Sequence, residues 1–193
     1  MKELIFVTHN AHKSEEVKAI VGSKFNVKNL SDINVFDEIP ETGCTFKENA
    51  KQKIEYLHNK LQCNCFADDS GLAVEALGGE PGVYSARYAG EPSNSQRNIE
   101  KLLDALKGET NRKAQFITVI AVILNEETYF FEGTIDGTIT QSPQGEGGFG
   151  YDPVFIPNGY DKTFAELSAE IKNKISHRAI AMQKFKEFID SKY

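Results

Sequence analysis

Tryptophan is absent from the 193 residues, methionine occurs twice, and there are 3 cysteines. Cys44, Cys63 and Cys65 are too few, and odd in number, for a disulfide framework. No clustered His or Cys accompanies them to complete a zinc site, so all three are expected to be reduced core residues. No apolar run approaches the ~18 residues of a membrane-spanning helix. The run from Met1 to Val7 is too brief for the apolar region of a signal peptide, so a cytoplasmic protein without a membrane partner is expected. Positive charge is also in short supply: 22 Lys and Arg stand against 28 Asp and Glu, a formal net charge of −6. That argues against a surface built to track nucleic-acid backbone, while leaving room for a small anionic ligand that needs only a few local cations. Low-complexity tracts, internal repeats and linkers are missing too, so residues 1–193 are expected to form a single domain.

Apolar residues make up 40% of the chain, ample for one sizeable core. Leu4 to Val7 and Phe25 to Leu30 read as strands, and Ser14 to Val21 as a helix with Val17, Ile20 and Val21 on one face. Thr45 to Leu61 is a long helical pattern carrying Phe46, Ala50, Ile54, Leu57 and Leu61. Cys63 to Ala67 reads as a strand leading into Asp68 and Asp69, with a second short strand over Leu72 to Leu77. Gly78 to Gly90 reads as a loop and Gln96 to Leu106 as a helix. Ala114 to Leu124 pairs with Thr128 to Ile135 as a hairpin, extended by Gly137 to Gln141. Asp152 to Ile156 reads as a short strand. A last helix over His177 to Ile189 buries Ala181, Met182, Phe185, Phe188 and Ile189. Helices alternate with strands early and a β-ribbon fills the middle, so the class is α/β with a mixed sheet.

Four segments could carry chemistry. The first is "FADDSGL", where two adjacent carboxylates stand at the expected end of a buried strand. Side by side they repel, and burial disfavours each charged form. Either this is a polar turn, since Asp, Ser and Gly are ordinary turn residues, or a positive group sits there, a metal ion above all. Glu38, Glu41 and Glu48 lie upstream; any one of them with Asp69 would suffice for Mg²⁺, which is held by one or two carboxylates, waters and phosphates. The second is "THNAHK", Thr8 to Lys13, a strand-to-helix turn whose backbone N–H groups suit a phosphate. The third is "GEGGFGYDPVF". Its glycines allow close backbone approach and Phe149 and Tyr151 offer faces for a flat ring, or else it is a glycine-rich hairpin loop with core aromatics. The fourth is "KNKISHRA". It gathers Lys172, Lys174, His177 and Arg178 at a helix N-terminus that already carries partial positive charge, an unfavourable arrangement unless an anion or electron-rich ligand docks. Ser176 is the expected N-cap. Phosphates, a flat ring and a metal together describe a nucleoside triphosphate with Mg²⁺. With no Ser–His–Asp or Cys–His arrangement evident, water is the expected nucleophile.

"THNAHK", "ETGCTFKENA", "ADDSGLAVEALGGEPGVYSARYAG", "GGFGYDP" and "SHRA" occur in the order and spacing of the inosine triphosphate pyrophosphatases, and the chain resembles that family from Leu4 to the final helix. The resemblance implies Mg²⁺-dependent hydrolysis of non-standard purine nucleoside triphosphates (ITP, dITP, XTP) to the monophosphate and pyrophosphate. It also implies an elongated two-lobe α/β fold with flanking helices around a twisted sheet, a central cleft and a homodimer. Carried over by residue, Thr8, His9, Asn10, Ala11, His12 and Lys13 would form the phosphate loop, with Lys53 also reaching the phosphates. Asp69 would be general base and metal ligand, with Asp68 beside it and Glu41 assisting at the metal. Ser70 would touch the nucleotide. Phe149, Gly150, Tyr151 and Asp152, with Lys172, His177 and Arg178, would hold the base.

Inosine and xanthine carry an acceptor at C6 where adenine carries an amino donor. Arg178 and backbone N–H groups only donate, so adenine would leave them unpaired. The first motif departs from the family's common T-G-N-x-G-K, with His9 and His12 in place of both glycines. Three rivals remain. The "SHR" and "FGYDP" segments argue against a related enzyme for modified pyrimidine triphosphates. A binding module without turnover would not need Asp69, Glu41 and Lys13 together. A purely structural domain leaves the basic cluster unexplained.

Overall fold

The computed structural model describes residues 2–21 and 25–192. Met1, part of the expected N-terminal run, lies outside them. The described elements are β1 (Lys2–Phe6), α1 (Ala11–Val21), β2 (Phe25–Asn29), α2 (Phe46–Leu61), β3 (Cys65–Val74), α3 (Ser95–Ala105), β4 (Lys113–Leu124), β5 (Glu127–Ile139), β6 (Phe155–Pro157), α4 (Ala169–Ile175) and α5 (His177–Lys192). The sheet has six strands in the order β2-β1-β3-β4-β5-β6. β1 runs parallel to both β2 and β3, with Phe6 opposite Phe66, and β5 is antiparallel to β6. The α/β class with a mixed sheet and flanking helices is therefore what the chain forms. Among the described residues no helix is long and apolar enough to cross a membrane.

Two compact units emerge from the packing. One comprises residues 1–69, 118–133 and 178–193, the other residues 70–117 and 134–177. In the first unit the sheet carries a separate core on each face. On one face Phe6 and Phe66 stack with ring centroids 4.7 Å apart, joined by Val17 and Val21 of α1 and by Ala181, Met182, Phe185 and Ile189 of α5. On the other, Val7, Cys65 and Ala67 pack against Ala50, Ile54 and Leu57 of α2. The second unit gathers Leu72, Val74, Leu102, Leu106, Phe116, Phe155 and Phe164.

Local signals explain most elements. Thr45 caps α2 by accepting the Glu48 N–H while the Glu48 carboxylate takes the Thr45 N–H, a complete capping box. Asn94 caps α3 and Ser168 caps α4 through the same type of side-chain acceptor. The β4–β5 connection is the dipeptide Asn125–Glu126, with φ of 50° and 68°, the left-handed pair of a tight hairpin turn. The ribbon does extend beyond Ile135, but β5 ends at Ile139, two residues short of the expected Gln141.

Several expectations need correction. β3 does not end at the acidic pair but runs ten residues through it to Val74, taking in the first half of the strand expected over Leu72 to Leu77, while Glu75–Leu77 forms a 3-10 turn instead. Gly82–Arg87 forms a 3-10 turn inside the expected loop. Asp152–Val154 is likewise a 3-10 turn, so the strand beyond it shrinks to Phe155–Pro157. Leu61, at the end of α2, is exposed because the buried stripe ends at Leu57. Of the cysteines, Cys65 is buried, but Cys44 is exposed on the approach to α2 and Cys63 is only half-buried.

Gly137 is required where β5 meets β6, because a Cβ there would lie 2.3 Å from the Ile156 carbonyl oxygen and 2.5 Å from the Phe155 ring. Gly137→Ala should therefore cost about 1–3 kcal/mol of folding stability, read as a lower denaturant midpoint in equilibrium unfolding.

Candidate functional site

Successive residues of a strand point to opposite faces, and this disposes of Asp68 and Asp69. Phe66 and Asp68 face α1 and α5, whereas Cys65, Ala67 and Asp69 face α2. On its face Asp68 accepts from Lys13 Nζ at 3.0 Å through Oδ1, and from Arg178 Nε and Nη2 through Oδ2, each at 3.1 Å. Arg178 Nη1 donates to Glu16 of α1. Burial opposes the Asp68 charge, but Lys13, Arg178 and Lys53 overcome it and hold the carboxyl far below its ordinary value. Burial pushes the Lys13 ammonium down, Lys53 and Arg178 add to that, and Asp68 only partly restores it.

Asp69 stands in a different environment. Its Oδ2 accepts from Asn49 Nδ2 at 3.0 Å and its Oδ1 lies 3.5 Å from Lys53 Nζ. Burial pushes this carboxyl above its ordinary value and Glu41 adds to the effect, against the pull of Lys53, Lys13 and Asn49. Lys53 also donates to Glu41 Oε1 at 2.8 Å and to the Asp68 carbonyl at 3.0 Å. Although burial works against its charge, Asp69, Glu41 and Asp68 keep its pKa above the ordinary lysine value. Of the upstream glutamates, Glu41 alone is joined to this group through Lys53. Glu48 is spent on the helix cap, and Glu38 is exposed.

The "THNAHK" turn belongs to the same unit. Thr8 Oγ1 accepts the Asn10 N–H, and Asn10 Oδ1 accepts the Lys13 N–H, so Asn10 caps α1. Ala11 and His12 are exposed in the first turn of α1, which carries no acidic residue. The His9 ring turns aside: its Nε2 lies 2.9 Å from the Asp37 carbonyl, and since a carbonyl only accepts, Nε2 carries the proton.

In the second unit the glycine-dense loop is organised by Asp152. Its Oδ2 accepts the Phe149 N–H at 2.8 Å and the Lys172 Nζ at 2.6 Å, with both charged side chains buried. Lys172 Nζ also lies 4.6 Å from the centre of the half-buried Phe149 ring. Tyr151 is a core residue whose hydroxyl donates to the Ser85 carbonyl at 2.8 Å, and burial raises its pKa. Tyr151 is therefore a core aromatic, as the second reading of this loop has it, whereas Phe149 and Gly150 remain half-exposed. His177 stacks on Phe116 with centroids 4.7 Å apart, and Ser70 is half-buried on β3.

The expected basic cluster is the clearest correction. Lys172 and Lys174 belong to α4, a separate seven-residue helix whose C-cap, Ser176, directly precedes α5. Lys172 pairs with Asp152, Lys174 with Glu170 and Arg178 with Asp68 and Glu16. Carboxylates from the chain itself meet these cations, so helix-terminal crowding is no evidence for an anion. Glu16 and Asn49 escaped the sequence reading. Asn49 had a detectable signal: it lies four residues before Lys53 on α2, beside the apolar stripe, where a polar side chain must find a buried partner.

Because the folded-state pKa of Asp68 is depressed, its ionised form stabilises the protein above the ordinary carboxyl value of 3.8, and this is lost as pH falls from there toward the folded value. Asp68→Asn should cost about 3–5 kcal/mol at pH 7 by uncovering Arg178 and Lys13. Urea unfolding of both proteins should show the gap narrowing as the pH drops below about 4.

A family model described as the Ham1 family matches residues 4–188. A protein of Porphyromonas gingivalis named dITP/XTP pyrophosphatase is 50% identical over 190 residues, covering 98% of each chain. Its namesake in Bacillus subtilis is 49% identical over 195 residues, covering 99% of this chain and 98% of its own. The solved structure of the Staphylococcus aureus Ham1 protein matches with a TM-score of 0.90 at 44% identity, over 100% of both chains. A match of this extent at this identity makes the chain a member of the Ham1 family.

Proposed function

We propose that this protein is an Mg²⁺-dependent pyrophosphatase that hydrolyses the non-standard purine nucleoside triphosphates ITP, dITP and XTP to monophosphate and pyrophosphate, removing them from the nucleotide pool. The observation carrying the proposal is Asp69, a buried carboxylate with a raised pKa, held against Lys53 and Asn49. It lies in a chain half of whose residues match a protein named dITP/XTP pyrophosphatase. A base poised upward toward neutrality is what proton abstraction from water favours.

Asp69 would accept the proton as water attacks and the bond between the α- and β-phosphates breaks. Asp68, tied to Lys13 and Arg178, would stay ionised and orient them. Lys13 uses one hydrogen bond, to Asp68, so its ammonium has donors for a phosphate oxygen. The partial positive charge at the start of α1 adds to that anion site, and Lys53 supplies further positive charge.

The residues also suit a hard divalent cation. Glu41 and Asp69 turn oxygens toward one positive charge, Lys53 Nζ, at 2.8 and 3.5 Å. Among the described residues no group of three or more His, Cys, Asp or Glu side chains could hold a metal alone. Phosphates and water would therefore complete the octahedron, as is usual for Mg²⁺. When bound there, Mg²⁺ would neutralise the triphosphate charge.

Phe149 and Gly150 would receive the base, on a loop fixed by Asp152 and Lys172 and backed by Tyr151 and His177, with Ser70 touching the nucleotide. Arg178, a donor only, would favour a 6-keto oxygen over the adenine amino group. The two units are proposed to act as one catalytic domain, in a cytoplasmic homodimer; light scattering on the purified protein tests the dimer.

A turnover screen with Mg²⁺ over ITP, dITP, XTP, ATP, GTP and dTTP tests the proposal. Pyrophosphate should be released from ITP, dITP and XTP with ATP spared; orthophosphate, or a preference for dTTP, would refute it. Asp69→Asn should lower turnover by about 10²–10⁴-fold with nucleotide affinity largely intact, and an active variant would remove Asp69 as base. In Arg178→Ala, discrimination of ITP against ATP should shrink; unchanged selectivity would move base recognition to other residues.

A further inference from the structure

Asn49 is fully buried, and both ends of its amide are committed. Its Oδ1 accepts the Gly43 N–H at 2.8 Å and its Nδ2 donates to Asp69 Oδ2 at 3.0 Å. The Gly43 N–H can only donate, so the oxygen must face Gly43 and the NH₂ must face Asp69. Gly43 approaches α2 closely enough that no larger residue would fit there. A Cβ on residue 43 would lie 2.9 Å from Asn49 Oδ1 and 2.6 Å from the Glu48 Cβ. Gly43 stands two residues after Glu41, on a segment also fastened to α2 by the reciprocal Thr42–Gln52 bonds. The two oxygens of Asp69 are thereby made unequal: Oδ2 is occupied by a neutral donor, and Oδ1 is turned to Lys53.

We propose that Asn49 is a positioning residue. It locks the Asp69 carboxylate with Oδ1 as the working oxygen, and ties that orientation to the Glu41–Gly43 segment. The proposal rests on Asp69 as the base. Asn49 meets no reacting atom in this scheme; it acts through the carboxylate it holds.

Asn49→Asp keeps the shape but turns an acceptor toward Asp69 in place of the N–H. With dITP and Mg²⁺, kcat should fall about 10- to 100-fold while KM stays within about threefold. A wild-type kcat, or a loss confined to KM, would overturn the proposal. Side-chain amide NMR of Asn49 supplies a reading in a chain where Asn49 itself is untouched. The Nδ2 proton resonances should shift upfield in Asp69→Ala, where the charged acceptor is gone, and resonances that do not move would overturn the lock. This second measurement needs no turnover. A chain that shows the shift but spares all 6-keto purine triphosphates would support the lock while refuting the substrate reading.

Discussion

The pleat of β3 is the constraint on which the site depends. Asp68 and Asp69 are neighbours in sequence, yet alternation sends them to opposite faces of the sheet. Their carboxylates are not side by side, and each has its own direct partners: Lys13 and Arg178 on one side, Lys53 and the Asn49 amide on the other. Because α1 and α5 pack on one face and α2 on the other, three helices deliver side chains to a single point in one strand.

That arrangement separates the two carboxylates chemically. Asp68 has three hydrogen bonds from two cations and is driven far toward its ionised form. Asp69 is nearly as buried but has one neutral donor and a more distant ammonium, so burial dominates and raises its pKa. Identical side chains on adjacent residues thus acquire unlike proton affinities from the elements packed against them, the usual way in which a fold assigns distinct acid–base roles.

Much of this was legible in the sequence, and the limits have physical causes. β1, α2, α3, the β4–β5 hairpin and the apolar face of α5 follow from periodicity and capping residues that operate over a few positions. The continuity of β3 could not be read that way. Its acidic pair looks like a strand end until the compensating charges are known, and these come from 55 and 110 residues away. α4 was missed because seven residues give too little periodicity. The grouping of Lys172, Lys174, His177 and Arg178 was misjudged for a related reason. Proximity in sequence suggested mutual repulsion, but each charged member finds a carboxylate, two of them in distant segments. The resemblance named Asp69, Glu41, Lys53 and Lys13, whereas Asn49, although it stands within "ETGCTFKENA", drew no role because its partners Gly43 and Asp69 are set by the fold, and Glu16, which holds Arg178, lies in no quoted motif.

The turn between β1 and α1 holds its shape through its own side chains: Thr8 grips Asn10, Asn10 grips Lys13, and the His9 ring is anchored on the Asp37 carbonyl. Such a turn has already given up its conformational freedom during folding. An anion arriving there need not order the loop, so more of the contact energy is retained as affinity.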